Sequence, residues 1–246
     1  IWKCSDEALI NDEALAHLLN EAEEFISEEL LTFRQTQNEN KVSTLSNGMR
    51  FPAEAIEDSL IPKHVELSNN QLRLERELGW VTLADLVISY SFRERLNEAP
   101  KKGRYLRLKD VGSDLLVTEP QEEENVRQAA RIYREPLSAG EVLISTLVTS
   151  PRVAFVDELP TSTIYVTDHW KRLRFQETPG AWALVLSTSI VQEQLGNMAL
   201  GTVQQFTSSA AIDRLRLPQV PLELRSRWER LLRRHHQRKR EIKSRW

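Results

Sequence analysis

Residues 104–111 read RYLRLKDV, a run in which apolar and cationic side chains alternate. Alternation with a period of two is typical of a β-strand, because successive side chains point to opposite faces. The leucines at positions 106 and 108 are expected to face a core. Tyr105, Arg107 and Lys109 are expected on the opposite face, where they would present positive charge to a ligand. The run therefore predicts a sheet with one buried and one cationic face.

Further short strands are expected around this one, because β-branched or alternating runs recur between turns that contain Gly, Pro and Asp. They occupy residues 81–90, 141–148, 152–156, 163–166, 182–187 and 215–217. Residues 170–174 (WKRLR) repeat the alternation of apolar and basic side chains. Residues 188–195 and 207–212 are typical of short helical or loop pieces. A mixed, strand-rich domain over residues 79–218 follows from this pattern.

Two amphipathic helices are expected on either side of this domain. Between residues 12 and 33, apolar side chains recur every three or four positions with glutamates between them. From residue 222 to about residue 243, one stripe amid dense arginine contains Leu224, Trp228, Leu231, Leu232 and His235. The sequence thus predicts an α+β fold in three parts. These are a helical N-terminal segment with a linker over residues 1–78, the strand-rich domain, and a basic C-terminal helix over residues 219–246.

Composition sets limits on the class of protein. The chain has 246 residues, of which 40% are hydrophobic, so it can bury a sizeable core. No apolar run approaches the roughly 20 residues of a membrane span, and no signal peptide opens the sequence, so a cytoplasmic protein without a membrane partner is expected. The single cysteine excludes an internal disulfide, and no Cys or His pair has the spacing of zinc ligands.

Charge is segregated along the chain, although the net charge is only −3. Residues 1–40 carry two basic and ten acidic side chains, a net charge of −8, and residues 222–246 carry ten basic and three acidic ones, a net charge of +7. Because phosphate binding depends on the local field, the acidic total does not argue against nucleic acid. The acidic helix could pack on a partner, pack on the basic helix, or lie on the surface.

Catalytic motifs are weak. Residues 196–201 have the glycine spacing of a phosphate-binding loop, but no Lys-Ser/Thr pair follows. No Gly-x-Ser-x-Gly elbow is present. Glu241 and Lys243, with the distant Asp213, leave a metal-dependent nuclease as an alternative. The sequence otherwise predicts no enzyme, no cofactor and no metal site.

Several short motifs, taken in order, resemble a target-recognition domain of the specificity subunits of type I restriction-modification systems. The same domain occurs as a specificity module fused to some adenine-specific DNA methyltransferases. The motifs are GWVTLADL at residues 79–86, RYLRLKDV at 104–111, LSAGEVLIS at 137–145, LGTVQ at 200–204 and LRLPQVP at 215–221. The resemblance covers about 160 residues.

The resemblance extends upstream and also has departures. Residues 58–64 (DSLIPKH) are similar to the entry seen where such a module follows a methyltransferase domain. Residues 146–152 (TLVTSPR) replace a segment that is often rich in glycine in the family, and residues 222–225 lack the usual glutamine. A full specificity subunit has two recognition domains and two long helices, whereas this sequence predicts one domain and one clear C-terminal helix. It would read half of a site or need a second recognition domain.

The resemblance implies a domain without chemistry of its own that docks on double-stranded DNA and positions a methyltransferase, which flips out the target adenine. The residues expected to hold phosphates are Lys101, Lys102, Arg104, Lys171 and Arg172. The residues expected to read base edges are Arg107, Thr149, Arg152, Thr202 and Gln204. The expected DNA-binding set is completed by Lys109, Arg174 and Gln205.

The C-terminal helix is implied to be a spacer and docking arm. Its seam for the methyltransferase subunit or domain would be Leu224, Trp228, Leu231 and Leu232. The implied setting is restriction-modification or phage defence through DNA methylation. The alternative from another class is a protein-interaction scaffold whose basic helix binds an acidic partner without reading DNA sequence.

Overall fold

The computed structural model describes residues 12–40, 78–88, 102–124, 132–147, 152–158, 162–199 and 206–244. Eight short strands run through these segments. They are β1 (Val81–Thr82), β2 (Lys102–Leu106), β3 (Glu122–Glu124), β4 (Glu141–Ser145), β5 (Val153–Phe155), β6 (Ile164–Val166), β7 (Trp170–Arg174) and β8 (Arg216–Leu217). The helices of the same segments are α1 (Asp12–Asn40), α2 (Leu83–Leu86), α3 (Pro179–Ser187), α4 (Ser189–Asn197), α5 (Ser209–Asp213) and α6 (Leu222–Ser244). The chain therefore has the expected α+β fold.

Two three-stranded sheets and one strand pair organise these elements. In the first sheet, β4 lies between β5 and β7 and is antiparallel to both. In the second, β2 lies between β3, which is antiparallel to it, and β6, which is parallel to it. The strands β1 and β8 form a separate antiparallel pair that joins the two ends of the strand-rich region.

The first sheet is covered on both faces, which makes β4 the centre of the molecule. Val142 and Ile144 pack into a large core with α1, α3 and α6, whereas Leu143 packs into a second core with β2 and β6. Because side chains alternate along a strand, burial on both faces buries every residue of β4. The layers run from helices through the first sheet to the second sheet.

Two of the expected strands end early. The strand expected over residues 81–90 stops at Thr82, because its hydroxyl accepts a hydrogen bond from the Asp85 amide and caps α2. The strand expected over residues 105–111 stops at Leu106. There the Arg107 amide donates to the Asp110 carboxylate, 2.8 Å away, and starts a 3₁₀ turn over Leu108–Asp110. The alternation of Tyr105, Arg107 and Lys109 on one strand face is therefore wrong beyond Leu106.

Residues 182–187 form part of α3, so the strand expected there is wrong. All residues from Gly180 to Leu186 are buried, because α3 lies between the first sheet and the helices α1 and α6. Pro179 occupies the first turn of α3, and the Glu229 carboxylate of α6 accepts hydrogen bonds from the Gly180 and Ala181 amides. A helix that is covered on every side carries no polar stripe in its sequence.

The helix α1 packs on the basic helix α6, which is one of the three arrangements that the sequence leaves open. Leu18, Ala22 and Ile26 are at most 1% exposed and belong to the large core. At the α1–α6 contact, the Phe25 ring meets the Trp228 ring edge-on at 6.2 Å, and Glu21 forms an ion pair with Arg227. The acidic and basic ends of the chain thus lie side by side.

The expected partner seam of α6 is part of the same core. Trp228 and Leu232 are fully buried, Leu231 is 7% exposed, and Leu224 packs partly buried against them. Trp228, Leu231 and Leu232 belong to the large core, so they are not available to helices of another protein, whereas Leu224 keeps part of its surface exposed. This corrects the docking role that the resemblance implies for the three buried residues.

The C-terminal half of α6 is anchored by the buried Asp157, which follows β5. Arg240 donates to both carboxylate oxygens at 2.7 and 2.8 Å, and His236 Nδ1 lies 3.5 Å from one of them. Burial by itself raises the pKa of the Asp157 carboxyl, but His236 and Arg240 outweigh it and hold that pKa well below its usual range. The ion pair therefore fixes α6 against the edge of the first sheet.

None of the helices among the described residues is both long enough and apolar enough to cross a membrane.

Candidate nucleic-acid interface

Two of the expected DNA-reading segments are anchored next to each other at one end of the first sheet. Leu147, which follows β4, forms an antiparallel bridge with Phe206. The hydrogen bond of this pairing that lies among the described residues runs from the Thr207 amide to the Thr146 carbonyl, at 2.8 Å. Thr149 follows Leu147 by two positions in the sequence, and Gln204 precedes Phe206 by two.

The turn between β6 and β7 lies beside the pairing of Leu147 with Phe206. Both the amide and the hydroxyl of Thr146 donate to the His169 carbonyl, at 2.8 and 3.0 Å. His169 and Phe206 are exposed. We refer to Thr146, Leu147, His169 and Phe206 as the loop-anchor surface. It brings together three segments that are more than 20 residues apart in the sequence, which spacing alone could not indicate.

Arg152 lies at the edge of this surface, at the start of β5. Its amide donates to the Ser145 hydroxyl at 3.1 Å, and its carbonyl accepts from the Ser145 amide at 2.8 Å. The side chain is half-buried and borders a cleft of about 230 Å³ that also contains Glu23 and Gln192. The backbone of Arg152 is therefore fixed by β4.

Lys171 is held within the chain. Its ammonium group lies 2.5 Å from the Asp213 carboxylate and donates to the Ser209 carbonyl at 2.6 Å, and the side chain is only 11% exposed. Burial lowers the pKa of Lys171, and the contact with Asp213 opposes that change. These contacts tie β7 to α5, so a phosphate would have to compete with Asp213 for this cation.

Arg172 is buried, which corrects the expectation that it holds a phosphate at the surface. Its side chain has no exposed area, and its guanidinium donates to both carboxylate oxygens of Glu141 at 2.7 and 2.8 Å. The Glu135 and Pro136 carbonyls accept further bonds, and the guanidinium carbon lies 5.6 Å from the centroid of the Tyr133 ring. Arg172 therefore joins β7 to β4 and to the segment that precedes β4.

Arg174 shares the same carboxylate but reaches the surface. Its guanidinium lies 3.1 Å from Glu141, and 29% of the side chain is exposed. The alternation WKRLR correctly predicts a strand at β7, but the face that carries Trp170, Arg172 and Arg174 points to the second sheet and not to solvent. Only its last arginine could also meet a ligand.

A second group of expected residues lies on β2 and the turn after it. Arg104 is one-third exposed, donates to the Pro120 carbonyl at 2.8 Å and lies 3.4 Å from Glu119. Arg107 and Lys109 are exposed and line a groove of about 650 Å³ with Lys243 of α6. Acidic side chains from the 3₁₀ turn and the β3 region share this groove, so its positive charge is partly balanced.

Five of the expected site residues fall outside the described residues: Lys101, Thr149, Thr202, Gln204 and Gln205. For Lys102 the structure describes the backbone, which pairs with Glu124 across β2 and β3. The roles of these six residues stay predictions.

Phe206 is a candidate that sequence reasoning missed. It stands between the polar pair Gln204-Gln205 and Thr207-Ser208, where Ser208 caps α5 through the Ala211 amide at 3.1 Å. An aromatic residue two positions before a capping serine was the available signal.

Within the described segments, no group of three or more His, Cys, Asp and Glu residues is placed to hold a metal ion. Glu241, which the nuclease alternative singled out, accepts a hydrogen bond from Gln237 at 3.1 Å and lies 3.7 Å from Arg238. Contacts between side chains three and four positions apart are typical of the surface of a helix.

Comparison with known proteins gives a fold-level likeness to one solved specificity subunit. No protein-family model matches the chain, and no curated protein matches it. Among solved structures, the crystal structure of the HsdS subunit from Thermoanaerobacter tengcongensis is similar, with 18% sequence identity and a TM-score of 0.46. The match covers 66% of this chain and 43% of that one, so this chain corresponds to less than half the length of the HsdS chain that it is similar to.

Proposed function

We propose that this chain is a sequence-specific recognition module for double-stranded DNA that serves a DNA methyltransferase and carries out no chemistry itself. The observation that carries the proposal is the loop-anchor surface. Leu147 and Phe206 flank the two sequence segments from which the family resemblance draws Thr149, Thr202 and Gln204, and they are paired through the backbone. Fixed anchors beneath variable loops are a frequent way to position binding residues.

The described charges also favour this function over the acidic-partner scaffold. Several cations of α6 already have acidic partners in this chain: Arg227 pairs with Glu21, Arg233 with Glu229, and Arg240 with Asp157. Glu21 and Asp157 lie outside residues 222–246, so their ion pairs lower the attraction of that segment for an acidic protein below what its net charge of +7 suggests. The scaffold alternative therefore has less support than the segregation of charge along the chain indicates.

The test is selection of bound duplexes from a random pool at about 150 mM salt. We expect the full chain to enrich a short motif. Gln204→Ala should relax the preference at one or two positions, and Lys101→Ala should weaken all duplexes alike and lower the salt slope by about one unit. Matched controls on the outward face of α6 are Gln237→Ala and Arg230→Ala, which should leave motif and affinity unchanged.

Two outcomes would contradict the proposal. One is binding that disappears with salt and shows no motif, which is charge attraction alone. The other is a loss of affinity in Arg230→Ala equal to that in Lys101→Ala, which would place the contact on α6. A methyltransferase added to the enriched duplex, with its methyl donor, then tests whether this chain directs methylation to that motif.

A further inference from the structure

Phe206 has an aromatic side chain that the fold leaves only partly buried. It is 48% exposed. The other large hydrophobic side chains that are exposed among the described residues are aliphatic: Leu31, Ile88, Leu222 and Ile242. A phenyl ring left half in water forgoes much of the stabilisation that its burial would give. Its position on the loop-anchor surface indicates a role in contacts outside the chain.

The backbone is fixed at Phe206 and directly after it. Phe206 itself pairs with Leu147, and the Thr207 amide and hydroxyl donate to the Thr146 and Leu195 carbonyls, at 2.8 and 3.2 Å. Thr207 is 1% exposed, and Ser208 starts α5. Little conformational freedom is therefore lost when the ring meets a ligand, which favours affinity.

The exposed fraction of Phe206 bears on two ways of touching DNA. A wedge inserted between base pairs presents both ring faces to the bases. About half of Phe206 is covered by its own chain, so only part of its apolar surface is available to a ligand. A contact of this extent fits the 5-methyl group of thymine, which projects into the major groove and is the apolar feature by which that groove distinguishes thymine from cytosine.

We propose that Phe206 contacts a thymine 5-methyl group in the major groove and so helps to set the target sequence. This inference rests on the proposed function, because it takes double-stranded DNA as the ligand. The polar neighbours in sequence agree with a base-edge contact, since glutamine side chains can hydrogen-bond adenine while the ring meets the thymine of a nearby pair.

The test uses the duplex enriched by the full chain, with each thymine replaced in turn by uracil, which lacks only the methyl group. Affinities are measured by fluorescence anisotropy. For the wild-type chain, we expect one replacement to weaken binding about fourfold, the value of one buried methyl group. Phe206→Ala should bind the thymine and uracil duplexes equally, and Phe206→Leu should keep part of the preference. Ile242→Ala, a similarly exposed apolar residue on α6, should behave as wild type.

Several results would overturn the assignment. An enriched motif without thymine, equal wild-type affinity for every uracil duplex, or an unchanged thymine preference in Phe206→Ala would each remove the methyl contact while leaving the proposed function intact. A rise in 2-aminopurine fluorescence that depends on Phe206 would indicate insertion between bases instead. Absence of any enriched duplex would overturn the recognition function and this assignment together. Thermal unfolding of Phe206→Ala, expected to match wild type, confirms that the variant is folded.

Discussion

Arg172 shows how much a buried arginine needs from its surroundings. It is buried in β7, where it pairs with Glu141 of β4 and donates to the Glu135 and Pro136 carbonyls. Removing a guanidinium and a carboxylate from water is costly, and the cost is offset only when nearly every donor has an acceptor. Arg172 meets this condition, because Glu141 and the two carbonyls accept hydrogen bonds from its guanidinium. These contacts therefore contribute to the stability of the fold.

Arg172→Ala is expected to destabilise the chain by about 3–5 kcal/mol, because Glu141 would stay buried without its main partner. The measurement is urea denaturation at neutral pH. Replacing the pair by Arg172→Met and Glu141→Leu together should recover most of the loss, since no buried charge remains. A stable Arg172→Ala variant with weakened DNA binding would instead restore the phosphate role that the sequence suggests.

Asp157 is expected to make stability depend on pH. Its folded pKa lies below the unfolded value, which is near 3.9. The unfolded chain therefore binds the proton first. The stabilisation is complete at neutral pH and is lost as the pH falls below about 4 towards the depressed folded value. Asp157→Asn should be less stable at pH 7 and show a flatter decline in unfolding free energy between pH 5 and 3.

The control for this measurement is Glu24→Gln, which removes an exposed carboxyl from α1. It should keep the wild-type decline. If Asp157→Asn and wild type decline in parallel, the ion pair with Arg240 does not form in solution.

The sequence predicts the secondary structure of a segment better than it predicts the surroundings of each side chain. The alternation at residues 170–174 correctly indicates β7, but it does not show which face meets another layer. The partner that buries Arg172 is Glu141, 31 positions away, and no local pattern connects them. Lys171 is similar, because Asp213 reaches it from α5.

At the scale of elements, α3 and α6 are tied by one carboxylate. Glu229 accepts from the first amides of α3 and also pairs with Arg233, one turn further along α6. Gly180 lets the helix approach this closely, because a Cβ there would lie 2.6 Å from Glu229 and 2.8 Å from the Phe155 ring. Absence of a side chain is what the contact requires.

Gly180→Ala is therefore expected to destabilise the chain by about 1–3 kcal/mol through overpacking. This would reverse the usual effect in a helix, where alanine is favoured over glycine by about 1 kcal/mol. Denaturation midpoints of the variant and of Ser226→Ala, a change on the α6 surface, provide the comparison. A Gly180→Ala chain as stable as wild type would mean that α3 can move away from Phe155 at little cost.

The sequence indicates most elements correctly, but it extends expected strands over α2 and over the 3₁₀ turn after β2, and it mistakes α3 for a strand. Strands β4, β5, β6 and β8 lie where β-branched or alternating runs occur, and the helices α4 and α5 fall in segments expected to be helical or loop. α3 was mistaken for a strand because a short apolar run has no periodicity that separates a buried helix from a buried strand. The helices that pack around α3 determine that it is a helix, and these contacts exist only in the tertiary structure.

For the whole molecule, opposite charges at the two ends of the sequence meet in space. α1 and α6 lie against each other, and both contribute to the core that contains α3 and one face of the first sheet. The division of the chain at residues 78 and 218 stays a prediction about domains. The packing nevertheless joins all three parts through shared buried side chains.

We expect one cooperative unfolding transition. Helix content by circular dichroism and the fluorescence of the buried Trp80, Trp170 and Trp228 should change at the same urea concentration, because these residues lie in cores that share the first sheet. Loss of helical signal before the change in fluorescence would show that α1 or α6 unfolds separately, as independent segments at the predicted boundaries would.

The proposed interface was partly accessible from the sequence. Motif order indicates the segments, and the basic residues Arg107 and Lys109 lie exposed as expected. The sequence does not reveal that Leu147 and Phe206 pair, because such a bridge depends on how β4 and α5 are placed by the rest of the fold. Nor does it single out a half-exposed phenyl ring.

The Leu147–Phe206 bridge also bears on how new specificities could arise. Its hydrogen bonds involve backbone atoms, so the frame does not depend on which side chains occupy the intervening loops. If the proposed function holds, substitutions between Leu147 and Arg152, or just before Phe206, would alter the DNA preference while the buried layers keep their composition. Libraries restricted to those few positions would then be the direct way to change the preferred motif.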